Sequence, residues 1–281
     1  MKTSNHLLRR LTAALLAAVL ALSIALPVFA SDDGDTIYIN SVSDLLSLAR
    51  NCAYDQWSVG KTVILQKDLS LEGMLWEPIP SFSGQFKGSG HTISDLTITG
   101  QYSPAGLFGI VEEQGSIESL SVRGVVSVSD SADTTTGGIV GINHGTLISC
   151  QFTGVVTGDS EVGGIVGRNE SEGTIDHSTA RAIVTGKSST GGIAGYNLGA
   201  ITGCTNVGSI NTEYPEASLD TDGFTAKMVD YINNKMAAAA DDATNSVTNV
   251  ATDTGGIAGR SSGMILTSVN TGTIGYEHVG Y

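Results

Sequence analysis

The chain is poor in charged and in aromatic residues. Only 15% of its 281 residues are charged and 6% are aromatic, whereas 41% are hydrophobic. This balance excludes a disordered chain, which needs high charge and little apolar surface. The 14 basic residues are outnumbered by 28 acidic ones, which disfavours a nucleic-acid binder. Glycine is abundant, because 36 of the 281 residues are glycine, which is nearly twice the usual share of about 7%. These glycines do not occur at every third position, as collagen requires.

The first thirty residues have the pattern of a secretory signal. Three basic residues precede an uncharged apolar stretch at 11–26, and Ala30 provides a small residue before cleavage at Ser31. The apolar stretch is shorter than the about 20 residues that span a bilayer, so a cleaved signal is favoured over an uncleaved anchor. We therefore expect a secreted protein, free or attached to the cell surface, with no membrane segment after cleavage.

Removal of this signal would leave a strongly acidic protein. The remaining 251 residues carry 11 basic and 28 acidic side chains, a net charge of −17. Such a surface repels nucleic acid, anionic polysaccharide and anionic lipid at long range. It is compatible with a protein or a neutral glycan as ligand, and no cofactor is expected.

An internal repeat is the main signal in the sequence. The pentapeptide Gly-Gly-Ile-Val-Gly at 137–141 recurs, with Ala in place of Val in the later copies, and successive copies start 32, 26, 28 and 64 residues apart. The copies begin at Gly137, Gly163, Gly191 and Gly255, with a weaker first copy at Ala105. Repeats of this length indicate a stacked architecture, because one unit is too small to bury its own apolar face.

Within each unit the apolar residues alternate with Thr, Ser and Asn, which is the period of half-buried strands. Strands of four to six residues are bounded by turn residues, and no helix separates them. The sequence therefore predicts an all-β fold, a parallel β-helix with one coil per unit. A right-handed coil is expected by analogy with most such solenoids. A β-propeller is disfavoured because each blade needs about 40 residues.

The repeats resemble the GLUG-motif repeats of bacterial secreted and surface proteins, whose signature is a Gly-Gly-Ile-Val-Gly-like core. Similar repeats occur in non-catalytic regions of IgA-specific metallopeptidases and in adhesin-like proteins. The segment 61–93 is similar to the first coils that precede such repeats, so the resemblance covers most of 36–281. It implies an extracellular scaffold and brings no catalytic residue. The metallopeptidases need His-Glu-x-x-His, which is begun by none of His6, His91, His144, His177 and His278.

Two parts follow the signal peptide in the predicted domain organisation, and the second contains an insertion. Residues 31–104 form an N-terminal cap helix, from Ser41 to Cys52, and the first coils. Residues 105–281 form the repeat solenoid. An insertion at about 212–254 shows helical spacing of apolar residues and is expected to dock on the flank or, alternatively, to bind a partner. No cap follows the last unit, so we expect the C-terminus to be truncated and a C-terminal region of the same protein to be missing.

The residue types that carry chemistry are interpreted as structural. Cys150 and Cys204 share a column with Ser178 between them, about 9.6 Å apart, which is too far for a disulfide. Cys52 stands alone in the cap, with pairing to another chain left open. Two asparagine columns are expected to stack, one of Asn143, Asn169 and Asn197 with Ser261 and one of Asn206 and Asn270. Arg123 and Arg181 share a column interrupted by Thr153.

The candidate carboxylates for a glycosidase do not repeat in one column across neighbouring coils, and we interpret them as solvated turn residues. They are Glu112, Glu113, Glu118, Asp159, Glu161, Glu170, Glu172 and Asp176. The sequence therefore predicts no catalytic, cofactor-binding or metal-binding residue. It favours a non-enzymatic adhesive or structural scaffold. The alternatives are the stalk of a larger secreted hydrolase and, less favoured, a glycan-active β-helix enzyme.

Overall fold

Short strands joined by tight turns make up nearly all of the structure, a computed structural model that describes residues 35–54, 56–128, 134–212 and 252–275. Within these ranges there are one α-helix and 26 strands, most of them two to four residues long. The described residues from Thr36 onward belong to one unit.

The chain enters the solenoid through one strand and the helix and then runs through successive coils. The first elements are β1 (Thr36–Ile39), α1 (Val42–Asn51), β2 (Thr62–Leu65), β3 (Leu69–Ser70), β4 (Ile79–Phe82), β5 (Gln85–Lys87), β6 (Thr92–Gly100), β7 (Phe108–Val111), β8 (Ser116–Glu118), β9 (Ser121–Val128), β10 (Thr136–Gly137) and β11 (Val140–Asn143). The remaining elements are β12 (Thr146–Ile148), β13 (Gln151–Thr157), β14 (Ser160–Gly163), β15 (Val166–Asn169), β16 (Thr174–Asp176), β17 (Thr179–Thr185), β18 (Ser188–Gly191), β19 (Ala194–Asn197), β20 (Ala200–Thr202), β21 (Thr205–Asn206), β22 (Ser209–Ile210), β23 (Thr252–Gly255), β24 (Ala258–Ser261), β25 (Met264–Leu266) and β26 (Val269–Asn270).

These strands form four sheets in which every pair is parallel. Sheet A has the order β1-β2-β5-β8-β12-β16-β20-β25, and sheet B has the order β3-β6-β9-β13-β17-β21-β26, with β22 also beside β17. Sheet C has the order β4-β7-β11-β15-β19-β24, and sheet D the order β10-β14-β18-β23. Each turn of the chain therefore climbs by one strand spacing, about 4.8 Å. Six turns lead from β2 to β25, which confirms the predicted parallel β-helix. Its handedness stays a prediction.

The interior is a stack of apolar columns. In the repeat core the Ile139 N–H donates to the Ile165 carbonyl at 3.0 Å, and Ile165 and Ile193 continue the same file toward Ile257. The inward column of sheet A is fully buried at Val63, Phe86, Ile117, Leu147, Ile175 and Ile201. Burial of each such side chain contributes about 1.5–3 kcal/mol relative to exposure. The core is thus formed jointly by neighbouring coils, and a single coil has no core of its own.

The two leading glycines of the repeat lie where the chain passes close to neighbouring atoms. A methyl group on Gly137 would overlap the Val140 carbonyl oxygen within the same coil. A methyl group on Gly138 would overlap the Phe152 ring, with Cδ1 only 2.6 Å away. Because sheet D meets sheet B across the core at this point, the repeat requires a residue without a side chain there.

The predicted cap helix is confirmed as α1. Ser41 has an extended backbone and its hydroxyl accepts the Asp44 N–H at 3.2 Å, which is a normal N-cap. Leu45 and Leu48 are buried, and the helix packs against β1 and β4 of the first coils. The helix therefore covers apolar residues where the solenoid begins.

Two predicted segments lie outside the described residues, namely the signal at 1–30 and most of the insertion at about 212–254. The last three residues of this approximate range are described by the structure. Residues 252–254 belong to β23, in which Thr252 pairs with Ser188 and Thr254 pairs with Thr190. The parallel pairing of sheet D thus resumes in register after the insertion, because the repeat pattern of coil and turn is restored there.

Candidate functional site

The cysteines of the predicted column are buried and unpaired, as the spacing predicts. The Cys150 N–H donates to Ser178 Oγ at 3.1 Å, and the Ser178 N–H donates to Cys204 Sγ at 3.4 Å. Burial raises the pKa of Cys150 to about 12 and that of Cys204 to about 11. Cys52 is also a free, buried thiol, and burial raises its pKa to about 11. Thiols this weakly acidic are not nucleophiles at neutral pH, so all three act as packing residues.

The predicted asparagine column is a buried ladder of hydrogen bonds. Asn143 Nδ2 donates to Asn169 Oδ1 at 2.8 Å, and Asn169 Nδ2 donates to Asn197 Oδ1 at 2.8 Å. Asn197 Nδ2 ends the ladder on Ser261 Oγ at 3.1 Å. At the other end, Asn143 Oδ1 is buried without a hydrogen-bond partner, and its neighbour in the column is Val111. The second column is joined in the same way, between Asn206 and Asn270.

Three candidate carboxylates are held by basic side chains. Asp159 and Glu170 lie in turns, as expected, whereas Glu161 lies in β14. Asp159 pairs with Lys187 at 2.5 Å. Arg168 bridges Glu161 through Nη1 and Glu170 through Nε, each at 2.7 Å. Two other candidates lie in strands of sheet A and not in turns, namely Glu118 and Asp176.

A stack of one aromatic and two basic side chains lies on the outer face of sheet C. The Tyr196 ring is sandwiched between Arg168, at 5.1 Å from the ring centre, and Arg260, at 5.4 Å. The three residues are register partners on β15, β19 and β24. Both ring faces are covered, so this tyrosine is not a platform for a sugar, and the stack ties three coils together.

Turn lengths alternate where sheet C passes to sheet A. The turn after β7 has four residues, 112–115, whereas the turns before and after it, at 83–84 and 144–145, have two. The Glu112 N–H donates to the Phe82 carbonyl and the His144 N–H donates to the Val111 carbonyl, so these turns stack on one another. The long turn therefore projects beyond its neighbours and leaves a recess beside it.

This recess and the loop after α1 enclose a polar cleft of about 540 Å³, which we call the flank cleft. The Ser83 N–H donates to Ser58 Oγ at 2.9 Å, which fixes the loop against the floor. Ser81 Oγ donates to Glu112 Oε1 at 2.7 Å along the wall. The flank cleft is lined by Gln56, Val59, Ser81, Ser83, Glu112, Glu113, Gln114 and His144.

The lining is polar and contains no lysine or arginine. Of these residues, the sequence singled out only Glu112, Glu113 and His144, and it did not place them together. The sequence signal that could have indicated the cleft is the difference in turn length. One residue precedes Gly84 and Gly145 in their turns, whereas three residues precede Gly115. The cleft can accept and donate hydrogen bonds to an uncharged or cationic ligand, and its carboxylates oppose an anion.

No group of three His, Cys, Asp or Glu residues that could hold a metal ion occurs among the described residues. None of the helices within the described ranges has the length and hydropathy to cross a membrane. Trp76 is buried, and its indole N–H donates to the Leu107 carbonyl at 3.1 Å, so its ring packs in the core.

The repeat matches a known family model over one coil length. The match covers residues 158–185, from just before β14 to the end of β17, and therefore contains one complete Gly-Gly-Ile-Val-Gly core. This segment carries the GLUG motif. The resemblance inferred from the sequence is thus confirmed.

Two relatives share part of the sequence. Halomucin from Haloquadratum walsbyi is 30% identical over 155 residues, which are 50% of this chain and 2% of halomucin. A candidate Gly-rich membrane protein from Evansella cellulosilytica is 28% identical over 137 residues, which are 35% of this chain and 16% of that protein. The GLUG-containing chain therefore spans only a small part of the relatives that it matches.

A solved structure shares the fold. It is a crystal structure of a candidate immunoglobulin A1 protease from Bacteroides ovatus, with a TM-score of 0.56 and 18% identity. The match covers 85% of this chain and 66% of that chain. At this level of identity the likeness concerns the fold alone.

Proposed function

We propose that this GLUG-motif chain is a non-enzymatic, extracellular or cell-surface module, a β-solenoid that acts as an adhesive or structural scaffold. The observation that carries the proposal is the continuous stack of coils, in which the residue types that recur in the repeats serve packing. Thiols, asparagines and glycines occupy interior columns. The relatives named as halomucin and as a membrane protein support a location at the cell exterior.

The ion pairs and burial of several reactive side chains also support a scaffold role. Arg168 is bound to Glu161 and Glu170 and stacked on Tyr196. The buried thiols have pKa values near 11 or 12, far from those of a catalytic cysteine. Chemistry by nucleophile or by paired carboxylates would require groups that are free to change protonation state.

An adhesion assay tests this proposal. Beads coated with the purified full-length protein should be retained on surfaces that carry neutral polysaccharide or microbial cells, above beads coated with an unrelated acidic protein. The same preparation should release no product from neutral polysaccharides or from casein. Failure of retention on every surface, or steady turnover of a substrate, would overturn the proposal.

A second candidate is the non-catalytic stalk of a larger secreted hydrolase. The structural match to the candidate immunoglobulin A1 protease, over 85% of this chain, favours it. The genomic sequence beyond codon 281 distinguishes the two. A downstream His-Glu-x-x-His in the same reading frame supports the stalk, whereas a wall-sorting signal or surface-layer module supports the scaffold.

A further inference from the structure

The flank cleft holds polar side chains that the fold does not use. Gln56, Ser83, Glu113, Gln114 and His144 have no side-chain hydrogen-bond partner within the described part of the chain, although all five line the same cleft. This contrasts with the Arg168 cluster, in which each charged group is paired. Polar groups that converge in a cleft without hydrogen-bond partners of their own are available to a ligand.

The backbone that presents these groups is fixed. The long turn closes on itself through the Gly115 N–H and the Glu112 carbonyl at 2.8 Å, and it is bound to the preceding coil through the Phe82 carbonyl at 2.9 Å. The His144 N–H is bound to Val111 at 2.8 Å. A ligand would therefore meet a preorganised surface and would pay little for ordering the backbone.

The chemistry of the lining selects the ligand class. The amides of Gln56 and Gln114 and the hydroxyl of Ser83 each offer both a donor and an acceptor, as sugar hydroxyls require. Val59 adds one partly exposed apolar side chain. A volume of about 540 Å³ lies within the usual range for small-ligand sites. We propose that the flank cleft binds a neutral oligosaccharide, an inference that builds on the ligand-binding role proposed above.

Other ligand classes fit the cleft less well. An anionic sugar would meet Glu112 and Glu113 with no lysine or arginine in the lining. A basic peptide would favour paired carboxylates, but Glu112 already accepts a hydrogen bond from Ser81 at 2.7 Å, which leaves Glu113 as the uncommitted carboxylate. The mixed donor and acceptor character of the remaining groups therefore favours an uncharged ligand.

Saturation-transfer NMR on the purified full-length protein tests the inference. The probes are cellobiose, maltose and N,N′-diacetylchitobiose, with digalacturonate and pentalysine as charged comparisons. We expect a saturable signal from at least one neutral disaccharide. Gln114→Ala should weaken it about fivefold through loss of a side-chain hydrogen bond. Gln66→Ala, at an exposed glutamine outside the cleft, should leave it unchanged.

The outcomes separate this inference from the proposed function. Binding of pentalysine or digalacturonate alone, no binding of any neutral disaccharide, or an equal effect of the two substitutions would overturn the inference. Bead adhesion is measured on the same variants. If a variant loses disaccharide binding but its beads still adhere, the adhesive role stands and the flank cleft is not responsible for it. If the protein binds disaccharide but its beads do not adhere, the flank cleft is a binding site and the adhesive role is wrong.

Discussion

Substitution of the second repeat glycine, Gly138→Ala, tests why the motif requires glycine. A β-carbon there would lie 2.6 Å from Phe152 Cδ1 and 2.5 Å from the Gly164 carbonyl oxygen. Carbon atoms pack at about 3.5–4.0 Å, so the ring or the strand would have to move by about 1 Å in a region with no free space. Overpacking of this kind costs about 1–3 kcal/mol.

If the space around Gly138 were open, the substitution would be expected to raise stability. Replacing glycine by alanine restricts the unfolded chain and stabilises a protein by about 0.4–1 kcal/mol where the native backbone tolerates it. We therefore expect the urea midpoint, followed by far-UV circular dichroism, to fall for Gly138→Ala. Midpoints are compared because unfolding of a repeat protein need not be two-state.

A double-mutant cycle identifies the colliding group. Phe152→Ala removes the ring, so the additional loss caused by Gly138→Ala should be smaller by about 1 kcal/mol or more in that background. The control is Gly90→Ala, where no atom lies within 4 Å of the added carbon but φ is +79°. It should cost about 1–2 kcal/mol from backbone strain alone and show no coupling to Phe152. A Gly138→Ala protein that is as stable as the parent would refute the close approach.

Two further predictions concern the interior columns. Val111→Thr should place a hydroxyl donor beside the unpartnered Asn143 Oδ1 and leave stability within about 1 kcal/mol of the parent, whereas Val140→Thr on the same sheet should cost about 1–3 kcal/mol in the same urea titration. Equal losses of stability in the two variants would contradict the unpartnered end of the asparagine ladder. The pKa of Cys150 rises from an ordinary 9.0 to about 12 in the folded state, so the unfolded chain releases a proton that the folded protein keeps. Stability should therefore fall above pH 9, by about 1.4 kcal/mol per pH unit for this thiol, and Cys150→Ser should remove that part of the slope. Identical slopes in parent and variant would show that the thiol ionises freely in the fold.

The sequence predicts the repeat columns because their residues are constrained in every coil. Gly138 and its equivalents lie against a neighbouring side chain with which an added β-carbon would collide. Asn143, Asn169 and Asn197 bond to one another, so each depends on the next. Such mutual constraints repeat at the period of the coil and are visible without coordinates.

The flank cleft could not be predicted because it depends on differences between coils. Glu112 and Ser81 are 31 residues apart and meet only through the offset between two turns of unequal length. The pairing of Arg168 with Glu161 likewise spans the corner between sheets D and C within one coil. Neither contact repeats in the sequence, so alignment of the repeats gives no sign of it.

The stacking of coils is tested most directly by distances along one outward column of sheet A. Four double variants would each carry one spin label at Gln85→Cys and a second at a cysteine that replaces Thr146, Thr174, Ala200 or Met264. These positions are register partners two, three, four and five coils away from Gln85. The backbone separations should be about 10, 14, 19 and 24 Å, increasing by about 4.8 Å per coil. The native thiols are buried, and their raised pKa values should keep them unlabelled. Electron paramagnetic resonance distances that rise in equal steps would support the parallel stack, whereas distances without that regular increase would contradict it.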